Sequence, residues 1–450
     1  MNLSDSIKFI LGIVIVYLAI GIGYFQTISN NNNCNNNNNN NNNITNLQVD
    51  FPNLYWTSSS GSLVPELLDE RGWIEVNKIQ QAHIIWIRNY HKIPWNKIAL
   101  TKNDSQILNY IPGTFELTRK LNLAIHLKKY ETEHQLTPVQ AETYLLPEQC
   151  DEFFADDSNL DQVWIRKESD LSQGEGAVVI SSPRNLELID CSSILNYKRE
   201  QELDQNKQKF DINPVVLQRY MLNPLLLLGR KSEIRSYWLI ASLDPLLVLY
   251  HDGTVRLNTL PFELGDWDNA LVHITNTHQQ HLALGDEEYE KISASLKWDL
   301  DDLAKYVTNN EKVYSSSSSS PWQTPQDFLD QHLKPMLKRA IIRTLNSTRE
   351  YIIPPNVHLP NVFELLGMDF MLSADLSHGW LNEIQRGPGL SVDNPVKARV
   401  LPQMLMEMIK IVQEVLYLRK QNIIPNRLTL NTVKHFEWLI DEGTEIPFYF

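Results

Sequence analysis

The apolar positions along the chain switch between a period of two and a period near three and a half, and those switches predict the elements. Leu47 to Trp56 and Ala82 to Arg88 are short runs of β-branched and aromatic residues that predict strands, with a helix over Leu63 to Arg71 between them. That alternation points to an α/β (α+β) fold class. Over Phe115 to Lys129, Leu117, Leu121, Leu123, Ala124 and Leu127 recur at helical spacing, which predicts one helix containing Lys120. Val163 to Lys167 and Ala177 to Ile180 read as strands around an SQGEG turn, and Val215 to Tyr220 and Arg235 to Tyr250 as further strands. Met404, Met408, Ile411, Val412 and Val415 predict a long closing helix over Val396 to Leu418, with the methionines in the core rather than on a metal. No fixed-period repeat divides residues 51–450. They are expected to form a continuous multi-lobed body with lobes at 51–150, 151–250 and 251–450.

The amino terminus breaks this pattern. Phe9 to Phe25 reads FILGIVIVYLAIGIGYF without a charge, and at about 1.5 Å per residue it approaches the ~30 Å hydrocarbon thickness of a bilayer. A secretory signal peptide is the rival, but Tyr24, Phe25 and Gln26 follow where small residues would mark cleavage. The expectation is therefore an uncleaved single-pass membrane anchor over 1–28. Lys8 as the lone flanking charge would place the rest outside the cytosol. Asn30 to Asn43, an asparagine run interrupted by Cys34, has almost nothing to bury and predicts a flexible tether over 29–50. Ser315 to Ser320 predicts a second low-complexity stretch at a loop tip.

Composition narrows the function classes. With 42% hydrophobic and 21% charged residues, the chain can bury a full core. Its net charge of −14 excludes a surface built for non-specific nucleic-acid binding. Cys34, Cys150 and Cys191 have no zinc spacing and form no disulfide framework, so Cys150 and Cys191 are expected as free thiols.

Three segments carry candidate chemistry. In WIRKESDLSQGEGAVVI, a strand lysine, Lys167, leads into a loop with Gly174 and Gly176, a combination suited to phosphate but equally to a glycine hairpin with a surface lysine. In VVLQRYMLNPLLLLGRKSEIRSYWLI, Lys231, Glu233 and Arg235 alternate by two and share a sheet face beside apolar residues, where a polar row needs a ligand or mutual pairing. Arg256 follows on the next strand. In FELLGMDFMLSADLSHGWLNEIQRGPGL, Asp369 and Glu383 fall on two strands joined by a polar hairpin, with Gln385 two residues beyond Glu383. Together they offer an oxygen-ligand set suited to Mg²⁺, or else cross-strand partners for arginines.

Taken in order, LNYIPGTFELTRKLNL, the three segments above, DGTVRLNT, VHITN and SLKWDLDDLAKYV resemble the tubulin-tyrosine ligase-like family, whose fold is of the ATP-grasp type, over about residues 51–418. The resemblance implies ATP and Mg²⁺ as cofactors. It makes Lys120 and Lys167 phosphate-contacting lysines and sets Gln218, Arg219, Tyr220 and Met221 against the adenine, with Arg219 where the family commonly has lysine. Lys231, Glu233 and Arg235 match a Lys-x-Asp-x-Arg row with Glu for Asp. Arg256 matches a phosphate or substrate cation, and Thr275 and Asn276 lie near ribose and phosphates. Asp369 and Glu383 match metal carboxylates, with Gln385 at the usual asparagine position. Arg235, Arg256 and Glu383 are the expected catalytic set. Three departures stand out: the longer Gln385, the acidic Glu175 in the loop, and Arg386-Gly387 where small polar residues are expected.

The implied reaction joins a free amino acid to a protein carboxylate through an acyl phosphate, with tubulin the family-implied acceptor. ATP use favours a cytosolic body, against Lys8. The alternatives are a membrane-tethered nucleotide-binding scaffold that has lost ligation and a ligase for a non-tubulin substrate.

Overall fold

The computed structural model describes residues 53–58, 62–90, 93–94, 98, 106–146, 148–169, 174–181, 215–310, 322–353 and 361–450. Mixed helix and sheet are arranged around three sheets. The first is parallel, with β1 (Leu54–Thr57), β2 (Ile74–Glu75), β3 (Ile84–Trp86) and β4 (Ile107–Leu108) in the order β2-β1-β3-β4. The second is antiparallel, with β5 (Thr143–Leu146), β6 (Trp164–Glu168), β7 (Val178–Ile180) and β8 (Val215–Arg219) in the order β5-β8-β6-β7. The third contains β9 (Leu226–Leu227), β10 (Arg230–Leu243), β11 (Leu246–Leu257), β12 (Lys297–Asp299), β13 (Glu364–Leu372), β14 (Gly379–Arg386), β15 (Glu437–Asp441) and β16 (Phe448–Tyr449). Its main path runs β14-β13-β10-β11-β15-β16. The expected lobe boundary at 250 therefore falls inside β11, which pairs with β10 on one side and with β12 and β15 on the other.

The large sheet is covered on both faces, so β10 and β13 are buried at nearly every position rather than at alternate ones. Trp238, Ile240, Met368 and Phe370 enter a core with helices Leu300–Asn309 and Lys334–Ile352. Tyr237, Leu239 and Leu365 on the opposite face pack against Met404, Met408, Ile411 and Val412 of helix Pro395–Lys420. The methionines are thus core, as their spacing predicts.

Several expectations need correction. The helix over Phe115 to Lys129 is two helices, Phe115–Thr118 and Lys120–Glu133, because Arg119 between them is extended. The Leu121 amide donates to Ser169 Oγ at 3.2 Å, so the break ties the second helix to the end of β6. Of the strand expected over Leu47 to Trp56, the described part is β1, and residues 47–52 lie outside the described residues. Cys150 is disulfide-bonded, with its partner outside the described residues, so it is not a free thiol; sequence spacing carries no sign of that approach. The single-pass membrane protein is corrected as well: among the described residues no helix is long and apolar enough to cross a membrane, and residues 9–25 lie outside them. The Asn30–Asn43 and Ser315–Ser320 tracts also lie outside the described residues.

Candidate functional site

The polar end of the β10 face carries a dense set of charges. Lys231, Glu233 and Arg235 are all buried, as is Asp369 at 0% exposure. Pairing places Arg235 opposite Asp369, Asp369 opposite Glu383, and Glu233 opposite Arg256. Arg235 grips Asp369 through two parallel bonds, one of them Nη2 to Oδ2 at 2.8 Å. Arg256 bridges the two acids, donating from Nε to Glu233 Oε2 at 2.9 Å and from Nη2 to Asp369 Oδ2 at 2.5 Å. Glu233 also accepts from Thr275 Oγ1 at 2.7 Å and from Asn382 Nδ2 at 2.5 Å. Buried charges persist only when paired in this way. Burial works to lower both guanidinium pKa values, but Asp369, joined for Arg256 by Glu233, holds them above the usual arginine value.

Glu383 behaves differently from Asp369. It makes no ion pair among the described residues and accepts a hydrogen bond from Gln385 Nε2, which also reaches Asp369 Oδ2 at 3.3 Å. Burial works to raise its carboxyl, yet the Lys120 ammonium, the Gln385 amide and Arg235 hold it below the usual carboxylate range. Glu383 is therefore ionised and open, whereas Asp369 is clasped between two guanidiniums.

Across from this cluster the second sheet contributes Lys167 and the helix beside it Lys120, while β10 itself adds Lys231. Lys167 Nζ donates to Gln218 Oε1 at 2.8 Å, and Gln218 is fixed in turn by Thr143 Oγ1 at 3.3 Å. Lys120, at the start of its helix because of the break at Arg119, reaches the Glu168 carbonyl at 3.5 Å. Lys231 donates to Tyr220 Oη at 3.0 Å and to the His273 carbonyl at 2.9 Å. Tyr220 Oη lies 2.8 Å from His273 Nδ1, and His273 Nε2 lies 2.8 Å from the Asp266 carbonyl. A carbonyl only accepts, so the proton sits on Nε2 and Tyr220 donates to Nδ1. Burial pulls Lys167 down to about 8 against the pull of Glu383, and Lys231 down to about 7 against Glu233.

Lys120 and Lys167 stand across a cleft of about 830 Å³ from Lys231 and the acid–arginine cluster. All the expected site residues except Arg235, Asp369 and Gln385 line it, and those three stand immediately behind Arg256 and Glu383. Arg219 lines the rim, but its guanidinium is engaged with Glu142 at 3.4 Å and lies over the Trp164 ring. Asn276 caps helix Thr277–Leu284 by accepting from the His278 amide at 2.9 Å. Gly174 packs against that cap with φ +77°, and a Cβ there would come within 3.0 Å of Asn276 Cβ. Only glycine lets the loop approach so closely. Glu175 is exposed.

Two residues of the site escape strict alternation. The register shifts between Asp369 and Phe370, whose partners are Glu383 and Leu381, so Asn382 is an extra residue in β14. This bulge turns both Asn382 and Glu383 inward. His273 sits in the VHITN run but becomes recognisable only once Tyr220 and Lys231 are beside it. Among the described residues no three His, Cys, Asp or Glu side chains converge on a metal position. The candidate set has two carboxylates and the Gln385 amide, all oxygen donors held within hydrogen-bond reach, a chemistry that fits a hard divalent cation.

The model of the tubulin-tyrosine ligase family matches residues 98–422. Tubulin polyglutamylase TTLL5 of Mus musculus is 24% identical over 363 residues, covering 78% of this chain and 24% of that protein. The probable tubulin polyglutamylase TTLL2 of Homo sapiens is 26% identical over 374 residues, covering 78% and 54%. Protein polyglycylase TTLL10 of Rattus norvegicus is 24% identical over 399 residues, covering 83% and 55%. The chain thus spans about a quarter of the first of these relatives and about half of the other two.

Proposed function

Because the chain belongs to the tubulin-tyrosine ligase family, we propose that it is an ATP-dependent ligase that joins the amino group of a free amino acid to a carboxylate of a protein acceptor. The observation that carries this reading is the cleft itself, with Lys120 and Lys167 on one side and Lys231, a clasped arginine pair and an open carboxylate on the other. A carboxylate is a poor electrophile. An acceptor carboxylate oxygen attacks the γ-phosphorus of ATP, ADP leaves, and the resulting acyl phosphate is attacked at carbon by the neutral amine. Phosphate departs with the former carboxylate oxygen, and the nitrogen loses its proton.

The residues serve positioning and electrostatics in this scheme. Lys120, Lys167 and Lys231 hold the nucleotide phosphates, with Gln218 and the Tyr220–His273 pair fixing the lysines. Gln218 to Met221 meet the base, and Thr275 and Asn276 the ribose side. Arg235 and Arg256 stabilise charge on the transferred phosphoryl and acyl oxygens, and Asp369 and Glu233 keep them in place beforehand. Asp369, Glu383 and Gln385 would hold Mg²⁺, which would neutralise phosphate charge. The family's ATP-grasp type accords with a nucleotide lying between two antiparallel sheets.

The relatives' names place tubulin first among acceptors to test, and glutamate and glycine first among amino acids. Incubating the full chain with Mg-ATP, each amino acid and tubulin should release ADP together with a mass gain on tubulin. ADP release with no acceptor gain would leave a nucleotide-binding protein that has lost ligation. Gain on another protein in place of tubulin would move the acceptor.

A further inference from the structure

The run that follows Gln385 is Arg386-Gly387-Pro388-Gly389-Leu390-Ser391-Val392, two glycines around a proline and then apolar residues. Gly387 takes φ +56°, and the turn folds Pro388 back over β13, where a Cβ on Gly367 would lie 3.0 Å from Pro388 Cβ and 3.2 Å from Arg235 Cδ. The run thereby becomes one wall of a cavity of about 1120 Å³, whose other walls are the first turn of helix Leu63–Asp69, the chain leaving β3 and the start of β13. Leu63, Val64, Trp86, Leu365, Leu390 and Val392 supply its apolar lining. Leu365, Gly367 and Asp369 alternate by two, so the cavity and the arginine–acid cluster lie along one face of the third sheet. From Gly367 to Asp369 is about 7 Å along an extended strand.

The charges in this cavity cancel. Arg386 Nε lies 3.1 Å from Glu364 Oε1, Nη2 donates to Thr114 Oγ1 at 2.6 Å, and the guanidinium carbon stands 4.8 and 4.7 Å from the Tyr90 and Tyr110 ring centres. Glu364 is 2% exposed, and its other oxygen accepts from the Ile111 amide and Thr114 Oγ1, both at 2.9 Å. Drawing Arg386 away towards an acidic segment would leave Glu364 buried without its counter-ion. Arg88 and Glu66, the remaining charged residues of the lining, are exposed and of opposite sign. Val392 and Tyr90 are 46% and 40% exposed, so the surface that an incoming chain meets is apolar. Neutral in sum and apolar in its lining, the cavity complements a bulky uncharged side chain. We propose that it receives an apolar side chain of the acceptor protein, lying within two residues of the carboxylate that is modified. This rests on the ligase reading and gives it an acceptor class, in which the carboxylate sits beside leucine- or phenylalanine-sized residues rather than in a run of acids. Burial of that side chain directs the neighbouring carboxylate along the sheet face towards Arg235 and Arg256.

The test uses the full-length protein and three acetylated and amidated peptides, Gly-Leu-Glu-Leu-Gly, Gly-Ala-Glu-Ala-Gly and Gly-Glu-Glu-Glu-Gly. Binding is read by calorimetry without ATP, and ligation by mass gain with Mg-ATP and glutamate or glycine. The leucine-flanked peptide should half-saturate at a concentration ~10- to 100-fold below the other two, the range for burying one leucine side chain. Val392→Asp and Leu390→Asp should each erase that preference, while ATP half-saturation stays within about twofold. Val392→Asp, at the exposed position, carries the readout alone if Leu390→Asp does not fold. A glutamate-flanked peptide that binds as tightly as the leucine-flanked one, a leucine preference that survives the variants, or no binding of the leucine-flanked peptide overturns the subsite. Mass gain on the glutamate-flanked peptide without a leucine preference overturns the subsite and keeps the ligase reading. Val392-dependent binding of the leucine-flanked peptide with no ligated product supports the subsite and removes the ligase reading instead.

Discussion

Asp369 and Glu383 face each other across two strands, and their different partners separate a clasped carboxylate from an open one. Asp369 is fully buried and accepts from Arg235, Arg256 and Gln385. Asp369→Asn leaves Arg235 and half of Arg256 facing an amide in the interior, so the fold should lose ~3–5 kcal/mol, the penalty for breaking a buried pair from one side. Glu383 accepts a single side-chain bond, from Gln385. Glu383→Gln keeps its shape and that contact and should cost about 1 kcal/mol or less. Its carboxyl is held below the usual range in the fold, so its small contribution is present above the unfolded carboxyl value and lost as pH falls through the folded one. Turnover should run in the reverse order of damage per kcal/mol. Removing one negative charge from the proposed Mg²⁺ ligand set, at a cost of ~3 kcal/mol in the transition state, should lower ADP production ~10²-fold. Melting temperature and ADP release are to be measured on the same samples. A Glu383→Gln protein that melts as low as Asp369→Asn, or turns over within tenfold of the parent, would refute the assignment of Glu383.

Nucleotide binding should weaken as pH rises from about 6.5 to about 9, because Lys231 near 7 and Lys167 near 8 lose their charge over that interval; calorimetry in buffers of different ionisation heat should show proton uptake on binding. The ligand-free fold should gain stability over the same interval and beyond, since these lysines bind fewer protons folded than unfolded. A denaturant series across pH, flat or falling, would contradict this. Gly253 lies where a Cβ would meet the Arg235 carbonyl oxygen at 1.7 Å, a backbone atom that cannot step aside. Gly253→Ala should therefore cost ~1–3 kcal/mol and displace Arg235, with ADP release falling alongside the melting temperature.

Sequence patterning reached the elements whose periods are unambiguous and stopped where tertiary partners decide. The alternation of Lys231, Glu233 and Arg235 was legible as a shared face, and that face is buried because helix Pro395–Lys420 and the first sheet cover its continuation at Tyr237 and Leu239. Asn382 was not legible, because a one-residue bulge defeats a period of two. The break at Arg119 was hidden as well: nothing in LTRKLNL interrupts the helical spacing, and the interruption comes from Ser169, 48 positions away along the chain from Leu121. Lys297 lay inside a quoted segment, SLKWDLDDLAKYV, yet showed no sign of its burial. A lysine that begins a short strand reads as a solvated residue until Arg256 and Thr277 are placed around it.

The cluster's pairing also says why the arginines can act. A free guanidinium at this depth would be driven to reorient towards water or to recruit any available anion, and either movement would have to be reversed for each turnover. Asp369 and Glu233 instead hold Arg235 and Arg256 in one geometry before substrate arrives, so little reorganisation remains when charge develops. The same neutralisation limits how strongly those arginines attract a ground-state anion. Ground-state attraction then falls to the other cations around them, the lysines of the cleft for the nucleotide. That division makes a distinct expectation for Arg256→Lys, which keeps the charge but loses the fork that bridges Glu233 to Asp369. Half-saturation for ATP and for the amino acid should change little, while turnover falls, because what is lost is orientation rather than charge. Equal losses in half-saturation and turnover would instead mean that Arg256 binds substrates directly in the ground state.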